Sequence, residues 1–255
     1  MKKILSLAGL ALAVAALAPT MAMADDGVSF NAGVVTDYRY RGISQTRLKP
    51  AVQGGVDFTK GAFYVGAWAS TIKWIKDAES VNGVEAKGGL ELDLYGGYKG
   101  QVTKDLAYDV GALVYLYPGN KYGDIPGAKN ANTTEIYGAL SFGPGTVKYS
   151  HSVTTLFGTG NSKNSGYLEA SATYELAGLS ITPHLGYQSV AKNGDFSYLD
   201  YSLTVGKEVV KGLTVTGALV GTDAKKIGGL PAYYYAPTDK DLGKAAVVLG
   251  AKFAF

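Results

Sequence analysis

Residues 28–41 read VSFNAGVVTDYRYR. One parity holds Val28, Phe30, Ala32, Val34, Tyr38 and Tyr40, broken by Thr36; the other holds Ser29, Asn31, Gly33, Val35, Asp37, Arg39 and Arg41. Strand side chains alternate between faces, so this ribbon has a greasy side and a charged side. The alternation runs about twice as long as the roughly 5–6 residues of a soluble strand. A strand that crosses a bilayer needs roughly 9–11 residues and, in a barrel, turns its apolar face to lipid and its polar face to a wet lumen. The stretch therefore predicts such a strand over 28–41, if the rest of the chain repeats it.

It does repeat. Val52, Val56 and Phe58 oppose Gln53 and Asp57; Tyr64, Trp68, Ile72 and Trp74 share the parity read as outward. In GGLELDLYGGYK (88–99), Leu90, Leu92, Leu94 and Tyr98 stand against Glu91, Asp93, Tyr95 and Lys99. Similar runs begin at Leu106, Ile136, Val147, Leu168, Leu179, Leu199, Leu213 and Val247, which brings the period-2 segments to twelve. Short turns at 60–61, 100–105, 143–145, 177–178 and 210–212 alternate with long polar loops at 42–49, 75–87, 118–131, 156–165, 190–197 and 223–243. That is the rhythm of an outer-membrane barrel, and an even strand count puts both termini on the periplasmic side.

The aromatics on the outward parity fall into two belts. Phe30, Phe58, Tyr64, Tyr98, Tyr108, Phe142, Tyr174, Phe253 and Phe255 lie near the short-turn end, and Tyr38, Tyr40, Trp74, Tyr187 and Tyr201 near the other. Amphipathic rings belong at water–lipid interfaces. Pro183, inside the ninth strand, removes a ladder donor and predicts a bulge or irregular turn. The inward parity of the twelfth strand, with Lys244, Val248 and Lys252, is half polar.

Ahead of the barrel, Lys2 and Lys3 precede an apolar run from Ile4 to Ala18, and Ala22-Met23-Ala24 offers a cleavage site. This predicts a secretory leader over 1–24 and a single barrel domain over 25–255. Without the leader, 22 basic residues face 21 acidic ones. Such balance gives no support to nucleic-acid binding, which needs a basic face. The chain has no cysteine, so no disulfide framework supports it.

DYRYRGISQT (37–46), PAVQGGVDF (50–58) and FYVGAWAS (63–70) resemble the TorF-type porins of proteobacteria, a family also described as conserved outer-membrane proteins of undetermined function. ELDLYGGY (91–98), YLYPGN (115–120) and EIYG (135–138) are similar as well. The resemblance is dense over residues 28–150 and thin beyond. It implies an outer-membrane barrel and a channel, and it supplies no substrate or catalytic residues. Phe255 in last position, with Phe253 two before it, also resembles the signal read by the barrel-assembly machinery. Outer-membrane lipid, that machinery and periplasmic chaperones are the partners this implies.

The inward parity collects Asp37, Arg39, Arg41, Gln53, Asp57, Glu91, Asp93, Asp109, Glu135, Lys148, Glu169, Glu175, His184 and Asp200. As a pore lining these charges would select solutes; as internal ion pairs they would plug a structural barrel. Inward Gly33, Gly55, Ala67, Ala69, Gly97 and Gly111 favour space over filling. The expectation is a passive channel for small polar solutes. Nine inward acids against seven inward bases (Arg39, Arg41, Lys73, Lys99, Lys148, Lys244 and Lys252), with the acids at mid-depth, predict a mild cation preference. An adhesion or receptor barrel acting through its loops is the alternative. A lipid-facing hydrolase would need a serine beside outward-facing His151, and Ser152 has the wrong parity. His151 and His184 are too isolated to suggest a metal site, and no cofactor signature stands out.

Overall fold

The computed structural model describes residues 26–235 and 240–255, without the side chains of Tyr234 and Tyr235; the expected leader lies outside these residues. Twelve antiparallel strands form the wall: β1 Gly27–Val35, β2 Ala51–Lys60, β3 Phe63–Thr71, β4 Leu90–Gln101, β5 Leu106–Leu116 and β6 Thr133–Phe142. They continue with β7 Gly145–Ser152, β8 Gly166–Ala172 (resumed at Tyr174–Leu176), β9 Leu179–Ser189, β10 Tyr198–Val210, β11 Leu213–Thr222 and β12 Ala246–Ala254. Each strand pairs with the next, and β1 pairs with β12, Asn31 opposite Ala254 and Val35 opposite Gly250. The ring is closed. The wall presents no free strand edge among the described residues, which is what lets a sheet lie in lipid.

The faces follow from the alternation. Val52, Leu94, Ile136, Leu140, Leu168, Leu185, Leu203, Leu219 and Leu249 all point outward and stand exposed. A continuous apolar band of this kind is incompatible with a solvated exterior and suits a bilayer. Among the described residues no helix is long and apolar enough to span one. At the short-turn end, Phe58, Phe63, Tyr98, Phe142, Tyr174, Phe253 and Phe255 ring the band, with Phe63 edge-on to Tyr98 at 4.9 Å. At the long-loop end the belt is thinner, and Tyr149, Tyr187 and Tyr201 carry it.

Several expectations need correction. β1 ends at Val35, not at residue 41: Thr36 is still held to Leu249, and then the chain turns into the lumen. Tyr38 and Tyr40 therefore belong to the interior, not to a lipid belt; Tyr38 is 1 % exposed. The parity of β3 is also reversed. Ala67 and Ala69 stand opposite Leu94 and Leu92 on the outer face, while Tyr64 and Trp68 point inward. In FYVGAWAS both parities hold aromatic and small residues, and the tight turn after Lys60 sets the register, not side-chain bulk. Trp74 begins helix α1 (Trp74–Val81) in the long loop after β3. Pro183 causes no bulge: Ser171 opposite His184 and Tyr174 opposite Ile181 keep one register across it, and the ladder merely lapses at Thr173. The bulge lies instead at Glu208–Val210 against β11.

The long loops are built, not loose. Glu79 of α1, fully buried, accepts the backbone N–H groups of Lys87 (2.8 Å) and Gly88 (3.1 Å) and that of Lys121 in the loop after β5. One carboxylate thus ties two loops together at the barrel mouth. Ile75 packs beside it with no exposure, and Trp74 sits edge-on to Tyr117 and Tyr122.

Candidate functional site: the lumen

Residues 36–48 fold back into the long-loop half of the lumen, and Asp37 organises them. Its carboxylate accepts Arg39 Nε at 2.5 Å, Ser44 Oγ at 2.6 Å and Thr46 Oγ1 at 3.1 Å. Arg39 also donates from Nη1 to the carbonyls of Gly42, Leu242 and Lys244. Both residues are almost wholly buried, so the pair is a structural knot that holds the segment to the loop after β11. The further hydrogen bonds to both members offset the cost of burying such a pair.

The knot aims Arg41. Arg41 and Gly42 both have positive φ, and a Cβ on Gly42 would meet Thr222 Cγ2 at 2.5 Å, so this turn requires glycine. From it the Arg41 guanidinium crosses the lumen to the far wall. It makes a bidentate pair with Glu135 on β6 (3.0 and 2.7 Å), donates to Gln188 Oε1 on β9 (2.6 Å), and lies 4.1 Å over the Tyr167 ring on β8. Burial works against the Arg41 charge, yet the Glu135 carboxylate more than offsets this and holds the guanidinium pKa above its ordinary value. Beside it Tyr40 Oη meets Tyr115 Oη at 2.5 Å, and Tyr115 donates to Glu135 at 3.2 Å. Tyr38 donates to Glu91 at 2.5 Å, and burial pushes its phenol far above its usual pKa.

The short-turn half is lined differently. Tyr95 donates to Asp57 at 2.5 Å and Tyr64 to Asp109 at 2.7 Å, with Tyr64 and Tyr137 also in contact. Lys99 and Lys148 sit over the rings of Tyr64 and Tyr137 at 4.7 and 4.6 Å. Between the two halves on the far wall, beside Tyr167, His184 lies 3.1 Å from Glu169 and 3.5 Å from Asp200, whose other oxygen accepts Tyr167 at 2.9 Å.

Inward Gly97 and Gly111 prove to be seats for rings, not open space. A Cβ on Gly97 would lie 2.5 Å from Tyr64 Oη and 2.6 Å from the Val110 carbonyl, and one on Gly111 would lie 2.5 Å from Tyr137 Oη. The abundance of glycine and tyrosine in the chain thus has a shared cause. Gly97→Ala is expected to displace Tyr64 from Asp109 and to destabilise the barrel by about 1–3 kcal/mol, read from urea unfolding in lipid vesicles. An unchanged unfolding midpoint would mean the ring does not rest there.

Of the pore-lining residues expected from sequence, Gln53, Asp57, Glu91, Asp93, Asp109, Glu135, Lys148 and Glu169 face inward from the wall. Asp37, Arg39 and Arg41 are also interior, but on the infolded segment. Lys73 is an exposed residue before α1, not an inward base. Sequence reading missed the inward tyrosines as the acids' partners, and Glu79 as the tie of the loops. The recurrent Tyr–Gly alternation was the available signal for the first; nothing local marked the second. His151 faces outward and meets Tyr149 Oη and Asn164 Oδ1, not a serine.

Residues 21–255 match the profile of a family described as "Bacterial protein of unknown function (Gcw_chp)". No curated protein sequence matches the chain. Among solved structures, the KdgM porin is similar with a TM-score of 0.54 at 7 % identity, over 89 % of this chain and 99 % of that one. The NanC porin is similar with a TM-score of 0.54 at 9 % identity, over 90 % and 99 %. At such identities the likeness is one of fold. The family matched carries the Gcw_chp name, not the TorF name suggested by the sequence motifs, and the architecture is that of porins.

Proposed function

The chain belongs to the Gcw_chp family of bacterial proteins of unknown function, and on that premise we propose that it is a porin-like channel in a Gram-negative outer membrane. Its long loops face outward and small polar solutes pass by diffusion. The observation that carries this reading is a closed, lipid-banded barrel whose interior presents ionisable side chains at every depth, from Lys99 and Asp57 to Arg41 and Glu91. Lipid-facing positions alternate with them, as a conducting barrel requires. The leader delivers the chain to the periplasm, where chaperones and the assembly machinery receive it. Phe255 is the recognition residue; once the barrel closes, its N–H and carbonyl are engaged by Phe30.

The lumen supports a mild cation preference. Asp37, Glu135 and Glu169 have cationic or histidine partners, whereas Asp57, Glu91 and Asp109 are held by phenol hydroxyls. Phenols hold a carboxylate without cancelling its charge, and a narrow low-dielectric passage amplifies what remains. In a potassium chloride gradient the reversal potential should have the cation-selective sign and move toward zero in Asp57→Asn/Asp109→Asn. Anion selectivity in the parent channel would overturn this assignment. The Arg41 bridge favours a second reading, a permanently filled barrel whose loops do the binding; conductance of an Arg41 variant separates the two.

A further inference from the structure

His184 on β9 stands between two carboxylates. Its Nε2 lies 3.1 Å from Glu169 on β8 and its Nδ1 lies 3.5 Å from Asp200 on β10. Only an imidazolium carries a proton on both nitrogens, so only the charged ring can present a proton to both acids. A neutral ring keeps one N–H. With that proton on Nε2 the ring still holds Glu169, and the Nδ1 lone pair then faces the Asp200 carboxylate. The other tautomer would set a lone pair against Glu169 at the shorter distance.

The two acids do not depend on the ring equally. Glu169 also has Lys148 on β7, at 3.9 Å. Asp200 has the hydroxyl of Tyr167 at 2.9 Å, which also lies 3.4 Å from His184 Nε2, and the other cation acting on it is Arg41. The Arg41 guanidinium lies 4.1 Å over that same Tyr167 ring and is held from β6 by Glu135. Tyr198, the remaining titratable neighbour of Asp200, is a phenol and brings no positive charge. Of these side-chain types, imidazole is the one whose ordinary titration falls between about pH 5 and pH 8.

We propose that His184 is a proton-operated switch on the Arg41 bridge. Charged, it satisfies Asp200 and leaves the guanidinium to Glu135. When Nδ1 gives up its proton to solution, Asp200 is left with a phenol alone and draws the guanidinium away from Glu135. In the closed ring β10 is nearer than β6 to the β1–β2 connection from which Arg41 reaches, so the movement shortens that reach and widens the passage beside β6. The switch needs only the fold; the widening rests on the channel reading.

The full barrel in detergent micelles, isotope-labelled on histidine and arginine, is titrated from about pH 5 to about pH 9 and followed by nuclear magnetic resonance. The chain has two histidines, and His151→Gln identifies the His184 ring. That ring should lose its Nδ1 proton and keep Nε2–H, and the Arg41 guanidinium signals should shift with the same midpoint. In His184→Gln the Arg41 shift should be lost. No deprotonation of His184 over this range, Arg41 signals that stay fixed while it occurs, or an Arg41 shift that persists in His184→Gln would each overturn the switch. If His184→Gln does not fold, the shared midpoint in the parent decides. In a planar bilayer the parent's unitary conductance should rise over the same range. A pH-independent conductance would overturn the widening, whereas a silent bilayer with the Arg41 shift intact would overturn the channel reading and leave the switch standing.

Discussion

Arg41→Ala is expected to open the lumen and weaken the barrel at once. The guanidinium spans from the β1–β2 connection to Glu135, Gln188 and Tyr167 on the far wall, so removing it clears the passage where the infolded segment narrows it. It also leaves Glu135, 2 % exposed, buried without its counter-charge. Breaking a buried pair from one side costs about 3–5 kcal/mol, because the remaining charge is uncompensated. Unitary conductance should therefore rise several-fold while the unfolding midpoint in urea falls. Adding Glu135→Gln to Arg41→Ala should restore much of the stability and keep the conductance high, since a neutral amide can be satisfied by Tyr115. If the double variant is as unstable as the single one, the loss came from packing of Tyr40 and Tyr167 and not from the stranded charge.

The second large effect concerns the faces of β4. Leu94 is outward, exposed and near mid-strand, so Leu94→Arg places a charge in the bilayer and should cost about 2–4 kcal/mol. One residue earlier the expectation changes sign. Asp93 faces inward with Oδ1 unpartnered among the described residues, and Glu91 and Glu135 act on it as like charges. Asp93→Asn should leave stability unchanged or raise it. Equal destabilisation by both substitutions, measured by unfolding in vesicles of one lipid composition, would mean that β4 does not present these residues to opposite sides.

Much of this was legible because a period of two is unforgiving. Once Leu90, Leu92 and Leu94 alternate with Glu91 and Asp93, a barrel wall follows, and the short and long connections fix its sense. Reading failed where parity was ambiguous or where the chain left the wall. In VVTDYRYR the alternation continues past Val35 although the strand stops there: the Asp37 knot with Arg39, Ser44 and Thr46 is worth more than further ladder, and its partners lie up to nine residues away. Tyr38 and Tyr40 then alternate as strand residues would, but on a segment inside the lumen. For β3, the sequence parity puts Trp68 on the outer face, yet its ring packs edge-on to Tyr38 at 5.5 Å, a contact set by a residue thirty positions earlier. The inward glycines misled for a related reason. A glycine without its neighbour's tyrosine signals space; with the ring of Tyr64 or Tyr137 laid on it, it signals a filled wall. The wall acids from Asp57 to Glu169 face inward as the parity expects, whereas Lys73 does not, and the Arg41–Glu135 pairing was not readable because it spans 94 residues of sequence.

Single-channel recording of the purified barrel in a planar bilayer tests the channel most directly. The parent protein should give small, discrete, voltage-independent steps in potassium chloride, and Arg41→Ala should give larger ones from the same preparation. A silent bilayer for both proteins, each shown to be folded and inserted, would contradict a conducting lumen and leave a filled barrel that works through its loops.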